Sequence, residues 1–467
     1  MSCKFRTVYP NVYAPDEQEL VDKTLEFIGG DTEKLETQLK DQLENRTRGI
    51  GNMELNGGLA LPCTTLGSSD LLEKAKSLYP LNPLYADEAY SRSQNDGRFL
   101  AAPLQVMMGP AFPYIPKGMD LWISNSDFTK GRGLDHEYTY YKPLYAGDTI
   151  RTRLVSQGLK DVSEGGDTMR KFRVTGEQAV YNQHGELLST CWNSAIETFK
   201  VPEDISKLDE YDGPRVIAFN GYADWDKVRP RHKYTSDDWE YIRSLWDAEV
   251  IRGEDTLYWE DVNIGDMPAP TCDGPLGGRS GPSPGEISGA TVRDYICGNV
   301  VKDFMGNPMK LTAEQDQWGE YTVRAEMGPM PGPMRRPGSN HPNYRPSLMN
   351  TVGRDCAARF VTNWMGNKGF LHKICWRLAF CWDEGRNVFP ADHDRPSFLL
   401  KVPFLKEQGK FMNTHSYTGD LAIVRGYVCD KYIKDGKHYV DMPIWIETIE
   451  GDIWAECFAV VALPSRS

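Results

Sequence analysis

The chain has 467 residues, 40% of them hydrophobic, which is enough for two to four domains with substantial cores. Its formal net charge of −13 argues against a nucleic-acid or anionic-membrane surface. The opening residues hold no apolar signal core and no run reaches a membrane span. The ten cysteines form no CxxC pair and the eight histidines no metal-ligand spacing, so we expect no metal and reduced, mostly buried thiols in a cytoplasmic protein.

Residues 1–50 are polar and charged, with a weakly helical stretch from Glu17 to Leu43 interrupted at Gly29-Gly30; we expect a helical extension without chemistry. Residues 51–66 read as a strand around a glycine pair. Ser68, Ser69 and Asp70 offer N-caps for a helix through Leu71, Leu72, Ala75 and Leu78. Next comes the phrase Asn82-Pro83-Leu84-Tyr85, Asp87-Glu88-Ala89-Tyr90 and Ala101-Ala102-Pro103.

From Gly147-Asp148 the chain alternates through apolar runs broken by a turn at His184-Gly185-Glu186, an antiparallel meander. A second meander starts at Gly419-Asp420. It runs through Leu421–Val428, a turn at Lys434–Lys437, Tyr439–Thr448, a turn at Glu450-Gly451-Asp452, and Ile453–Leu463. Cys191 and Cys457 each follow their turn glycine by six residues. Order, turns and strands match, which argues for duplication of one domain.

Between the meanders, residues 201–257 read as a linker. Its SDDWEYIRSLW phrase spaces Trp239, Ile242, Leu245 and Trp246 as an amphipathic helix capped by Ser236 or Asp237. The Gly/Pro-rich stretch PAPTCDGPLGGRSGPSPGEISG matches no phosphate-binding pattern and reads as a long irregular connection. A helix follows at SGATVRDYICGN. The Arg335-Arg336 pair either clamps a phosphate or is simply solvated. After Pro346, Leu348, Val352, Cys356, Phe360 and Trp364 are spaced as a long helix stopped by Gly366.

The Asn82–Pro103 phrase resembles the overhang segment of the MaoC-like acyl-CoA dehydratases. The two meanders are also similar to that family, as is Tyr258-Trp259-Glu260-Asp261-Val262 with Gly265-Asp266, a phrase that opens the second domain of its two-domain members. The resemblance covers most of residues 50–465. It implies an α+β double hotdog, with two long central helices each wrapped by an antiparallel sheet and a CoA thioester bound at the domain junction. The expected divisions are a helical extension (1–50), an N-terminal hotdog (51–200), a linker (201–257) and a C-terminal hotdog (258–467).

The family's Asp–His dyad does not carry over. Tyr79-Pro80 and Tyr85 stand at the Gly-Asp and His positions of the first half, which makes that half a degenerate lid and scaffold. In the second half Asn299 stands where the Asp would be. The best catalytic candidates are Asp303 as carboxylate and His341 as acid or base, supported by Asn299. Tyr85, Tyr344, Arg345, Arg335 and Arg336 are candidates for substrate binding, and His393 in an Asp-His-Asp run is a second acid–base candidate. The resulting expectation is a hydro-lyase on a CoA thioester, with no cofactor beyond the CoA of the substrate, working as a homodimer without membrane or nucleic-acid partners. A hotdog thioesterase and a non-catalytic acyl-CoA-binding protein are the alternatives.

Overall fold

The computed structural model describes residues 4–28, 64–79, 81–104, 130–167, 170–199, 201–204, 229–276, 292–301, 307–325, 350–378, 380–381, 387–388, 396–414, 416–417 and 419–466. Two compact units share the chain. The first comprises Met1–Leu66, Val106–Gly221 and Pro390–Asp394; the second comprises Gly67–Gln105, Tyr222–Phe389 and Arg395–Ser467. The units therefore do not follow the linear divisions expected from the sequence. The Asn82–Tyr90 phrase and the amphipathic helix of the supposed linker both belong to the second unit.

In chain order the elements begin with α1 (Pro15–Ile28) and β1 (Thr64–Thr65), then α2 (Ser68–Leu78), α3 (Pro83–Ala86) and α4 (Glu88–Gln94). The first meander is β2 (Lys130–Tyr140), β3 (Thr149–Asp161), β4 (Arg170–Tyr181) and β5 (Leu187–Phe199). There follow α5 (Ser236–Ala248), β6 (Thr271–Asp273), α6 (Val292–Cys297), β7 (Leu311–Gln315), β8 (Tyr321–Ala325) and α7 (Asn350–Met365). The remainder is β9 (Phe370–Leu378), β10 (Phe380–Cys381), β11 (Asn387–Val388), α8 (Pro403–Glu407), β12 (Ala422–Gly426), β13 (Asp430–Lys434), β14 (Lys437–Glu447) and β15 (Ile453–Leu463).

The first unit is an antiparallel sheet in the order β1-β3-β4-β5-β2, and the second has β9-β15-β14-β12-β6 with β13 also paired to β14. The third run of the second meander spans Ile453–Leu463, as the sequence indicates. Its first run is longer than expected. After β12 the chain keeps pairing with β14 through Tyr427 and Cys429, whose N–H groups donate to Pro443 and Asp441, and continues as β13. Asp435 and Gly436 both have positive φ, the geometry of a two-residue hairpin turn.

The repeat extends to individual turn hydrogen bonds. Asp148 accepts the Tyr145 N–H (2.9 Å) and Asp420 accepts the Tyr417 N–H (2.7 Å), each across a glycine of positive φ. Each of these glycines, Gly147 and Gly419, sits in a left-handed conformation that a side chain would strain. Cys191 and Cys457 are both fully buried in the closing strand. The cysteines at 191, 272, 297, 356, 375, 429 and 457 are free thiols.

In the second unit α7 lies in the curve of the sheet and is buried along almost its whole length. A Cβ on Gly426 of β12 would come within 2.7 Å of the Phe360 ring, so strand and helix are in close packing. Gly366 ends α7 with positive φ. This is the hotdog arrangement, and the first unit repeats its strands: the fold is an α+β double hotdog. A central helix for the first half has no counterpart among the described residues.

Three local expectations are corrected. The N-cap of α2 is Gly67, which makes no side-chain bond, because the three polar residues after it are already in the helix. Thr235, not Ser236 or Asp237, caps α5, and Asp238 completes a capping box. The Gly/Pro-rich stretch is not wholly irregular, since Thr271–Asp273 pairs with β12. The buried stripe of α5 is as expected: Trp239, Ile242, Leu245 and Trp246 pack with Cys272, Val292, Leu421 and Ile423, which is why the supposed linker belongs to the second unit.

Candidate functional site

The centre of the second unit is polar where its helix would ordinarily be apolar. Asp355, Arg359, Thr362 and Asn363 fall at i, i+4, i+7 and i+8 of α7, one face of a helix, and all four are buried. Charged groups are rarely buried unless paired. Arg359 Nη1 donates to Asp273 Oδ1 of β6 at 2.7 Å, and its Nε lies 3.8 Å from Glu249 just past α5. Glu249 also accepts from Asn363 Nδ2 (2.9 Å) and forms a close ion pair with Arg293 of α6.

The overhang phrase reaches the same network. Asn82 caps α3 through its Oδ1, which accepts the Leu84 N–H at 3.1 Å, and Pro83 occupies the first helical position. Its Nδ2 is then free to donate to Asn363 Oδ1 at 3.2 Å. A continuous polar chain thus runs from Asn82 through Asn363 and Glu249 to Arg359 and Asp273.

Burial dominates the electrostatics there. It holds the Asp273 carboxyl above the ordinary range, against the opposing pull of Arg359, with Glu249 adding repulsion. Burial likewise pushes the Cys356 thiol far up, with Asp273 adding to the effect. Asp273 Oδ2 and the Nε and Nη2 of Arg359 are buried without hydrogen-bond partners, and Thr271 Oγ1 on the same strand is in the same condition. Such orphaned groups call for a further polar occupant. Chemically, the cluster offers N–H donors for a carbonyl oxygen beside a carboxylate oxygen that can accept from water.

Of the residues singled out in the sequence, Tyr85 is buried with Ala75, Tyr79, Leu84 and Ala102, and burial raises its hydroxyl pKa. Asn299 is exposed and donates to Asp294 at 3.1 Å, at the end of α6 and outside the network. Asp303, His341, Tyr344, Arg345, Arg335, Arg336 and His393 lie outside the described residues. Sequence reasoning missed Arg359, Asp273, Glu249, Arg293 and Asn363. The four-residue spacing of Asp355, Arg359 and Asn363 was a legible signal in α7; Asp273 and Glu249 carried none, since only folding brings them to the helix.

A second ionic group sits at the edge of this unit. His232 lies between Glu450 (Nδ1, 2.7 Å) and Asp238 (Nε2, 3.1 Å), fastening the approach to α5 onto the β14–β15 turn. Among the described residues no group of acidic, histidine and cysteine side chains could hold a metal ion, and no helix is long and apolar enough to cross a membrane.

No family model matches the chain, and no curated protein matches it. Similar solved structures include a MaoC-like dehydratase, 11% identical, covering 87% of this chain and 97% of its own, with TM-score 0.41. Another is a conserved hypothetical protein of Mycobacterium tuberculosis with a double hotdog fold, 9% identical, covering 86% and 93%, TM-score 0.37. A third is a protein assigned as an oleoyl thioesterase from Lactobacillus plantarum, 8% identical, covering 86% and 96%, TM-score 0.28.

Proposed function

We propose that the chain is a hydratase or dehydratase of an acyl-CoA thioester, adding water across a 2-enoyl double bond or removing it. The observation that carries this reading is the junction of the Asn82 overhang phrase with the buried Asn363–Glu249–Arg359–Asp273 chain on the central helix. A conjugated thioester reacts when its carbonyl oxygen is held by strong donors and water is held by an acceptor. In this reading Arg359 Nε and Nη2 polarise the carbonyl and Asp273 Oδ2 takes the proton of the attacking water. The water oxygen bonds the β-carbon as the double bond's electron pair shifts toward the thioester carbonyl, and Asp273 returns the proton it took to the α-carbon, which regenerates the carboxylate. Asn82, Asn363 and Glu249 hold Arg359 in place.

In this reading the protein works as a cytoplasmic homodimer that uses no cofactor apart from the substrate's CoA and has no nucleic-acid or membrane partner, the last supported by its net charge of −13. A sedimentation mass of one chain would argue against the dimer. Thioester hydrolysis is the second reading, favoured by Asp355, a buried carboxylate on the central helix itself.

One assay separates these readings. Purified protein is incubated with 2-enoyl- and 3-hydroxyacyl-CoA esters bearing aliphatic, aromatic and dicarboxylic acyl groups, and products are weighed by mass spectrometry. A change of one water, lost in Arg359→Met, supports the hydratase. Free CoA supports hydrolysis, and binding without turnover supports a carrier.

A further inference from the structure

Glu249 stands between two arginines. It is the C-cap of α5, and its side chain is almost fully buried. One carboxylate oxygen, Oε1, accepts from Asn363 Nδ2 at 2.9 Å and lies 3.8 Å from Arg359 Nε. The other, Oε2, forms the close pair with Nη1 of Arg293. Arg293 is itself held from two sides. Its Nη2 donates to the Trp246 carbonyl at 2.9 Å, the carbonyl that also accepts the Glu249 N–H at the end of α5. A cation is favoured there because it meets the last carbonyls of a helix. Val292 of the same short helix is buried in the cluster that contains Trp246, with Ile296 and Cys297 packed against it, which fixes the backbone that carries Arg293.

The consequence falls on Arg359. Asp273 and Glu249 bring two negative charges into this interior, and Arg359 and Arg293 bring two positive ones. Arg293 is in contact with Glu249, whereas Arg359 Nε at 3.8 Å is beyond hydrogen-bond reach of it. Arg359 thus keeps its bond to Asp273 and leaves Nε and Nη2 without hydrogen-bond partners. Without Arg293, Arg359 would be the one cation left beside Glu249 among the described residues. A buried carboxylate stripped of its partner is strongly unfavourable and draws the remaining cation to it. The donors of Arg359 would then be consumed by Glu249.

We propose that Arg293 is a positioning residue: by pairing with Glu249 it keeps Nε and Nη2 of Arg359 open toward a ligand and screens Asp273 from the charge of Glu249. What those donors serve rests on the hydratase reading above; the coupling of Arg293 to Asp273 through Glu249 does not. Asp273 faces Arg359 and Cys356 of α7 and Glu249 beside α5, and Glu249 faces Arg293, Arg359 and Asn363. Burial raises the Asp273 carboxyl and Glu249 adds to the rise. Loss of Arg293 leaves that repulsion unscreened, so Asp273 takes up its proton at a higher pH. Loss of the Glu249 charge acts in the opposite sense.

The test follows Asp273 by carbon-13 NMR in protein labelled at its aspartate carboxyls, with the signal identified by its loss in Asp273→Asn. Arg293→Met should move the Asp273 titration upward by about one pH unit. Arg293→Lys, which keeps the charge, should titrate close to wild type, and Arg293→Met combined with Glu249→Gln should return toward it. Glu249→Gln alone should titrate lower than wild type. That variant keeps an acceptor for Asn363 and carries the test should Arg293→Met fold poorly. A titration unmoved by Glu249→Gln, or moved equally by Arg293→Lys and Arg293→Met, overturns the proposal, because Arg293 is then only a brace for α5. Turnover is measured in parallel. Arg293→Met should lower kcat by roughly a hundredfold, the worth of one lost oxyanion donor, with little change in KM. A rise in KM at unchanged kcat also overturns the proposal. If no ester is turned over by wild type, the hydratase reading fails, while the titration still decides whether Arg293 governs Asp273.

Discussion

Arg359 of α7 and Asp273 of β6 meet at 2.7 Å inside the second unit, each with a polar atom left unpartnered. Removing one partner of a buried pair strands the other charge, at about 3–5 kcal/mol, whereas replacing both with apolar groups is often neutral. Arg359→Met should therefore destabilise by about that amount, and adding Asp273→Leu should restore much of it. The urea midpoint of the four proteins of this cycle is the check. Single variants that lose less than about 1 kcal/mol would show the pair to be solvated instead.

Gly353 of α7 lies directly beneath two indoles: a Cβ there would come within 2.2 Å of Trp376 and 2.6 Å of Trp454. The two rings are themselves edge to face at 6.1 Å, so neither can retreat without breaking that contact. Gly353→Ala should lower stability by about 1–3 kcal/mol, the usual cost of overpacking, although Ala is the better helix former. A melting temperature equal to or above wild type would contradict the packing described.

The matched turns should respond unequally. Asp148 and Asp420 each accept a backbone N–H, but Asp420 is buried and also takes Arg229 at 2.6 Å. Asp148→Ala should cost about 1 kcal/mol, the worth of the turn bond, since its other bond, from Gln183 at 3.3 Å, is exposed. Asp420→Ala should cost about 3 kcal/mol because a buried ion pair with Arg229 is lost together with the turn bond, and the more exposed Glu450 at 3.7 Å replaces it only in part. Chemical denaturation of the two variants side by side tests the ordering; equal losses would argue against it.

Acid should weaken the first unit through Asp161. Burial alone would raise its pKa, but hydrogen bonds from Ser163, Tyr13 and the Asn11 N–H prevail and hold it below 3.8. Arg170 adds an ion pair at 2.9 Å. A depressed folded pKa contributes stability that is present above the unfolded value and lost as pH falls through the folded one. Stability should thus begin to fall near pH 3.8 and continue below it. Asp161→Asn should be less stable at neutral pH with a flatter acid limb in urea titrations from pH 5 to pH 2.5. An unchanged acid limb would remove Asp161 from the account.

Much of the fold was readable in the chain because it rests on local rules. Glycines at 147, 185, 419 and 451 mark positive φ, alternation marks the strands, and Gly366 stops α7. The amphipathic α5 was equally plain, since Trp239, Ile242, Leu245 and Trp246 face one way at helical spacing. The site was not legible in this way. Arg359 finds Asp273 across 86 residues and Asn82 finds Asn363 across 281, and nothing local to either residue encodes its partner.

By itself, then, the sequence determined the strands, the turns and the duplication, because backbone conformation and periodicity act over a few residues. Only the tertiary structure decided which unit claims residues 67–105 and 222–257, and which polar groups share the interior of α7. It also decided that the equivalent faces of two matched sheets have opposite polarity, because strand register brings together positions from four separate runs. Burial then leaves acceptors of Thr152, Gln178 and Asn193 unpaired in one repeat and makes an apolar core of the matching positions in the other.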